Sequence, residues 1–354
     1  MGRIVIDYFS LFKITIAMSF PSAIVVHYLI PLIVWFKNQD LLIVALALTS
    51  YYAGFTLGTH YGLWSRATLS RMAGTFMTAH VITTLLLGAY GYGYMAPIFS
   101  MLVGATTGGL LSLPSSKVMS IPTASLLSAF PLFGSILMEF YGADSVLVAS
   151  GMLAFLSSVL LLISMKIIVP KPKMVEDGKL GLSLDGWLIA LGIGLGGTMG
   201  TVLMPVIAVV ALEVEVIYVG LIITISLVTI QVIALRLRKQ NVIYKSIGTI
   251  TALSIFFVFL IMGLQDNIFI FLVLWFLAIV DLSYCNSFLV VANRTLKKFD
   301  EKIFMLVSNI LCMFGPLLAV LIWAMGSYQL IFYFSAFLIL IGWIAMRRFL
   351  KEVK

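Results

Sequence analysis

The sequence predicts an all-α integral membrane protein with twelve transmembrane helices in two six-helix halves. Three observations carry that prediction: an apolar composition, the number and length of the apolar runs, and the placement of the cations. Of the 354 residues, 62% are hydrophobic and only 10% are charged. A soluble domain carries about 45–50% apolar and about 25% charged residues, so this much apolar surface has lipid as its solvent. The two cysteines, Cys285 and Cys312, both lie in apolar runs. They form neither a metal-ligand spacing nor a disulfide framework.

A spanning helix needs about 20 mostly apolar residues. Twelve stretches qualify: 12–36, 40–62, 72–92, 95–115, 122–141, 145–166, 186–212, 216–236, 244–264, 267–291, 303–325 and 328–347. Strands span only as closed barrels of short alternating segments, and these runs are too long and too continuously apolar for that. The opening "MGRIVIDYFSLFKITIAMSF" has no small-residue cleavage site, so it predicts a retained first helix.

Placing the cations checks the count. Arg3 and Lys13 attend the first stretch, Arg66 and Arg71 follow the second, Lys117 follows the fourth, and Lys166, Lys171, Lys173 and Lys179 follow the sixth. Arg236, Arg238, Lys239 and Lys245 surround the turn after the eighth. Arg294, Lys297, Lys298 and Lys302 follow the tenth, and Arg347, Arg348, Lys351 and Lys354 close the chain. Twelve passes put all of these on one face; of the 22 Lys and Arg, only Lys37 falls on the other. Short cytoplasmic loops hold the excess of Lys and Arg. The expectation is therefore a multi-pass protein of the cell membrane with both termini cytoplasmic. The net charge of +8 belongs to this bias and implies no nucleic-acid partner.

The longest polar segment, "KIIVPKPKMVEDGKLGLSLD", reads as a cytoplasmic linker over 166–185, separating a half at 1–165 from a half at 186–354. The halves echo one another. "SFPSAIVV" resembles "LMPVIAVV", placing Pro21 and Pro205 184 residues apart. "FPLFGSIL" resembles "FGPLLAVL", placing Pro131 and Pro316 185 apart. The near-constant offset indicates duplication. Prolines inside membrane helices kink them, and two similar halves around a midplane site are how many secondary transporters are built.

Twelve helices, a 6+6 division, a cytoplasmic linker and basic turns together resemble the major facilitator superfamily across nearly the whole chain. Between its second and third helices that family carries a motif of glycines, an aspartate and arginines. Here Gly62, Arg66 and Arg71 answer to the glycine and arginines, while Ser65 stands for the aspartate and Thr68 for the second glycine. The resemblance implies a cytoplasmic gate at Gly58, Gly62, Arg66 and Arg71, without the carboxylate half of its latch. Gly58 and Gly62, four apart, also permit close helix approach. In the fourth helix Ser100, before Gly104, takes the place of an arginine tied to proton coupling in drug exporters. In the fifth, Pro131 and Gly134 keep part of an antiporter motif, with Phe130 at its first glycine; the eleventh has Gly315-Pro316. The resemblance implies a transporter of exporter type.

Asp281, near the middle of the tenth stretch, is the outstanding single residue. A carboxylate at bilayer depth costs about 2.5–3.5 kcal/mol even on the lenient insertion scale, and ionisable residues there are functional by default. It is either a proton or cation site, or a structural carboxyl held by Ser283, Tyr284 or a neighbouring helix. His27, inside the first stretch, either takes a proton or solute contact or satisfies a neighbouring carbonyl. His80 reads as structural and His60 as interfacial. Gln231, Asn286, Asn309 and Tyr284 are cavity-lining candidates, each of which serves equally as glue between helices. The glycines of "LGIGLGGTMG" permit either packing or a gate bend.

No Lys or Arg lies deep in any helix, which disfavours a strongly anionic solute. The expectation is a secondary active transporter for a small lipophilic, amphiphilic or weakly cationic solute, coupled to protons or another cation, exporting, and monomeric. It calls for no cofactor and no metal. A transporter-fold receptor or assembly protein stays open as an alternative, because fold does not determine function. A membrane enzyme acting on lipid ranks below both. The sequence has no H-E-x-x-H, no paired intramembrane carboxylates and no nucleotide-binding loop.

Overall fold

A computed structural model describes residues 8–64, 69–112, 128–164, 182–239, 245–296 and 301–351. Ser65, Arg66 and most of the 166–185 linker lie outside the described residues. Helices dominate: α1 (Tyr8–Asn38), α2 (Leu41–Trp64), α3 (Leu69–Tyr90), α4 (Ala96–Leu111), α5 (Phe130–Tyr141) and α6 (Ala143–Ser164). A second set follows: α7 (Leu184–Val210), α8 (Val216–Lys239), α9 (Lys245–Gly263), α10 (Ile268–Leu296), α11 (Glu301–Met325) and α12 (Gln329–Lys351). Ten of them are long and apolar enough to cross a membrane, and α5 and α9 carry shorter apolar segments. Each coincides with one of the twelve predicted stretches, although residues 122–127 of the fifth lie outside the described residues. Helices apolar on every face have no aqueous side to offer, as membrane spans require.

The ends of the spans are closed by short polar side chains. Asp40 Oδ1 accepts from the N–H groups of Leu42 (2.8 Å) and Ile43 (3.2 Å) at the start of α2. Asn267 does the same for Phe269 and Ile270 at α10, and Ser183 for Gly186 at α7. Each supplies an acceptor to first-turn donors that the helix itself leaves unpaired.

Contacts divide the chain into two compact units: residues 1–39 with 50–174, and 40–49 with 175–354. Within the first, α1 packs on α4, α5 and α6, and α3 packs on α4 and α6. Within the second, α7 packs on α10, α11 and α12, and α9 packs on α10 and α12. Adding six to each helix number converts the first scheme into the second, the structural counterpart of the repeated proline motifs. The first core gathers Ala23, Met72, Phe76, Met77, Leu110 and Leu161. The second stacks Phe259, Phe271, Trp275 and Phe332, with ring centroids 6.0–6.3 Å apart.

In the first unit, α2 and α4 meet through glycine. A Cβ at Gly54 or Gly58 would run into the carbonyls of Met101 and Ala105, and one at Gly104 or Gly108 into those of Tyr51 and Phe55. Two G-x-x-x-G faces are thus pressed backbone to backbone. Gly134 of α5 faces the side chains of Val25 and Leu29 of α1, less closely than backbone meets backbone at α2 and α4. In the second unit, Gly315 of α11 lies against Thr198 and Met199 of α7.

The first unit is riveted at the end where α1 and α3 finish and α6 begins. Lys37 Nζ donates to Asp144 Oδ1 (2.5 Å) and to the Gly88 carbonyl (2.6 Å), and lies 4.2 Å from the Tyr92 ring centre. Asn38 donates to the Val34 and Gly91 carbonyls and accepts from Gly93 N–H. The one cation expected on the outer face is therefore used up inside the fold, with 3% of its side chain exposed.

Candidate functional site

Helix α7 is the most buried of the ten spans. Its path is uneven for reasons written in its sequence. From Ala190 to Gly196 the turns widen to π-helix, and after Thr201 a two-residue turn precedes a last helical segment, Met204–Val210. Glycines let neighbours close in on every side. Gly192 approaches Gly342 of α12, Gly194 approaches Ser308 of α11, Gly197 approaches Leu282 of α10 and Gly200 approaches Phe259 of α9. Widened turns of this kind cluster at functional sites.

Beside this segment, a cavity of about 370 Å³ opens in the second unit between α7, α10 and α11. Thr198, Thr201, Ser308 and Cys312 supply hydroxyl and thiol groups, and Asn286 and Asn309 supply amides. Ile193, Leu282, Phe304 and Met305 supply apolar wall. No charged side chain is among these lining residues. Thr201 Oγ1 bonds the Gly197 carbonyl (2.8 Å), and Cys312 Sγ lies 3.4 Å from the Gly194 carbonyl.

Prolines add main-chain polarity to the same place. A proline in a helix has no N–H for the carbonyl four residues earlier. Pro316, inside α11, withholds that donor from Cys312, and Pro205 stands in the first turn after the break that follows Thr201. Thr201 and Cys312 both line the cavity. In the first unit Pro31, which the sequence reading passed over, withholds the donor from His27, while Pro21 withholds it from Ala17. Pro131 stands in the first turn of α5 as described, where a missing N–H costs little.

The structure brings Asn286 and Asn309 to one cavity and leaves the other candidates elsewhere. Asp281 does not line the cavity, although the next residue, Leu282, does. Its carboxylate is half-buried on the side of α10 that meets α9, where Ser254 Oγ donates to Oδ2 at 2.7 Å. A neighbouring helix holds it, and neither Ser283 nor Tyr284 does. Tyr284 and Gln231 are half-buried outside the cavity. Arg71 is exposed at the start of α3, and Gly62 lies in α2. Ser100 is buried in α4.

His27 belongs to a separate cluster in the first unit. Its Nδ1 lies 3.0 Å from the Tyr51 hydroxyl of α2. The rings of Tyr28, Tyr51, Tyr52 and Phe55 surround it at 5.0–6.3 Å between centres. His80 instead is fully buried, with Thr106 Oγ1 at 2.9 Å and Ser150 Oγ at 3.3 Å, a structural pairing of α3 with α4 and α6.

No family model matches the chain, and no curated protein matches it at a significant level. Solved structures do match in fold. A point mutant of the nucleoside transporter NupG superposes with a TM-score of 0.68 at 12% identity, covering 97% of this chain and 99% of that one. A bacterial homologue of the human lysosomal transporter Spinster, inward-facing and unoccupied, gives 0.64 at 12% identity over 99% of each chain. The human organic anion transporter MFSD10 gives 0.60 at 12% identity, covering 96% and 98%. The chain has the fold of major facilitator transporters.

Proposed function

We propose that this multi-pass membrane protein is a secondary transporter that moves a small, uncharged amphiphilic solute by alternating access. The cavity between α7, α10 and α11 carries the reading. Hydroxyls and amides lie beside apolar wall there, at the place where α7 is widened and broken and α11 holds a proline. Helices interrupted near a polar cavity are where such transporters coordinate their cargo. The lining favours hydrogen bonding with no charge to compensate, so a neutral solute with a hydroxyl- or amide-bearing face fits best. The fold shared with transporters of nucleosides and organic anions supports transport as the activity. Proton coupling through Asp281, efflux, and a cytoplasmic position for both termini complete the proposal.

Proteoliposomes test it. Small solutes are screened for flux with and without an imposed pH gradient, and each active solute is tested for protection of Cys312 against N-ethylmaleimide. Cys285 is fully buried, so Cys312 is the thiol that reports on the cavity. A transported solute slows Cys312 labelling, and Asn309→Leu removes both flux and protection. Solutes that bind and protect but never cross the bilayer point instead to a receptor built on a transporter fold. Flux without any change in Cys312 labelling places the solute elsewhere.

A further inference from the structure

The first unit holds an aromatic cluster that neither its packing nor the proposed solute cavity accounts for. On α1, Val25 and Val26 before His27 and Leu29 and Ile30 after Tyr28 are buried. His27 and Tyr28 are only half-buried, as are Tyr52 and Phe55 on α2. Tyr51 is fully buried and holds His27 by Nδ1. Among the described residues, nothing bonds the other ring nitrogen, Nε2. If the Tyr51 hydroxyl donates to Nδ1, Nε2 carries the proton and donates; in the other tautomer it accepts. Pro31 also withholds a helical N–H from the His27 carbonyl. This half-buried histidine thus carries two polar atoms, and its ring lies 5.0 Å from those of Tyr28 and Phe55 and 6.3 Å from that of Tyr52 between centres.

We infer that the His27–Tyr28–Tyr52–Phe55 cluster is a binding site for a planar, uncharged aromatic or heteroaromatic ring. The ring packs on the half-buried Tyr28, Tyr52 and Phe55 side chains, and its edge bonds His27 Nε2. Tyr51 is a positioning residue that orients the imidazole. A planar ring matches the cluster because flat π-faces pair by offset or edge contact with tyrosine and phenylalanine. An organic cation is the other chemistry that aromatic walls attract, but it would meet an imidazole with no described carboxylate in the cluster to balance it. The inference does not depend on transport, since it concerns binding alone.

The test uses the full chain in lipid nanodiscs with benzimidazole as probe, read by saturation-transfer difference NMR and by titration. Cyclohexanol serves as a non-planar control and tetraethylammonium as a cationic one. Benzimidazole should bind, and its dissociation constant should rise about tenfold in Phe55→Leu and in His27→Gln. Tyr51→Phe should weaken binding less, because it keeps the ring and loses only the hydroxyl. Asn309→Leu, in the other cavity, should leave binding unchanged within about twofold. Each variant is checked for a single gel-filtration peak; His27→Asn substitutes for a His27→Gln that does not fold. No binding of benzimidazole overturns the inference, as does equal binding by all variants or by cyclohexanol. Tetraethylammonium binding that is lost in Phe55→Leu, without benzimidazole binding, replaces it with a cation cage.

Discussion

Asp281 has one hydroxyl partner, Ser254, and no ion pair among the described residues. An ionised carboxylate offers about four acceptor positions, so a single donor leaves it underfilled whenever it is charged. It sits next in sequence to a cavity residue, where water access changes if the cavity opens to alternate sides. Asp281→Asn keeps the shape and still accepts from Ser254. It is expected to abolish accumulation driven by a pH gradient while sparing downhill exchange, read in proteoliposomes with and without the gradient. Concentrative uptake with normal pH dependence in that variant would make Asp281 structural and leave His27 as the next coupling candidate. Asn286 and Asn309 stood out in the sequence because an amide in lipid must find a partner. Thr198, Thr201 and Ser308 did not, because such hydroxyls are commonly satisfied by their own helix, as Thr201 is by Gly197. Pro31 carried a readable signal that was missed: the residue four before an intramembrane proline is a candidate open carbonyl.

At the scale of elements, glycine spacing was legible but its pairing was not. Positions 54, 58 and 62 of α2 are all glycine at intervals of four and share one face, so spacing marks the face but not which pair meets a partner, nor which helix that is. The structure uses Gly54 and Gly58 against Gly104 and Gly108. Gly104→Ala must push a methyl into the Tyr51 carbonyl, whereas a Cβ at Gly88 meets Leu147 at an ordinary 3.7 Å. Gly104→Ala is therefore expected to destabilise by about 1–3 kcal/mol, an overpacking cost, and Gly88→Ala by well under that. Thermal midpoints of the two variants in detergent decide it; equal midpoints would mean that α2 and α4 do not approach so closely. The widened turns of α7 were beyond sequence reading for a different reason. The glycine run allowed either packing or a bend, and only the approach of Gly342, 150 residues downstream of Gly192, shows that close packing and a widened backbone coexist.

Over the whole molecule, the positions of the helices followed from apolar length, because runs too long and continuous for a barrel must satisfy a spanning backbone as helices. The duplication followed from two proline offsets, and the same packing scheme appears in both units. Sidedness remains an expectation drawn from the cations, and it has a direct test. In a background with Cys285 and Cys312 replaced by serine, Tyr94→Cys, whose tyrosine is 87% exposed between α3 and α4, should label from outside the cell. Lys351→Cys, exposed at the end of α12, should label only after the membrane is opened. Labelling of both from one side would break the twelve-pass topology. Lys37 is a poor reporter of its face, since the fold encloses it.

That enclosure has a consequence for biosynthesis. Lys37 leaves the ribosome 51 residues before Gly88 and 107 before Asp144, the two groups that hold it. At about 5–20 residues per second, α1 waits about 5–20 s with an uncompensated ammonium at its far end. Until α6 arrives, that charge must be kept by headgroups or by the insertion machinery. The final seat of Lys37 is therefore expected to form only once α6 has been made, late relative to the synthesis of α1.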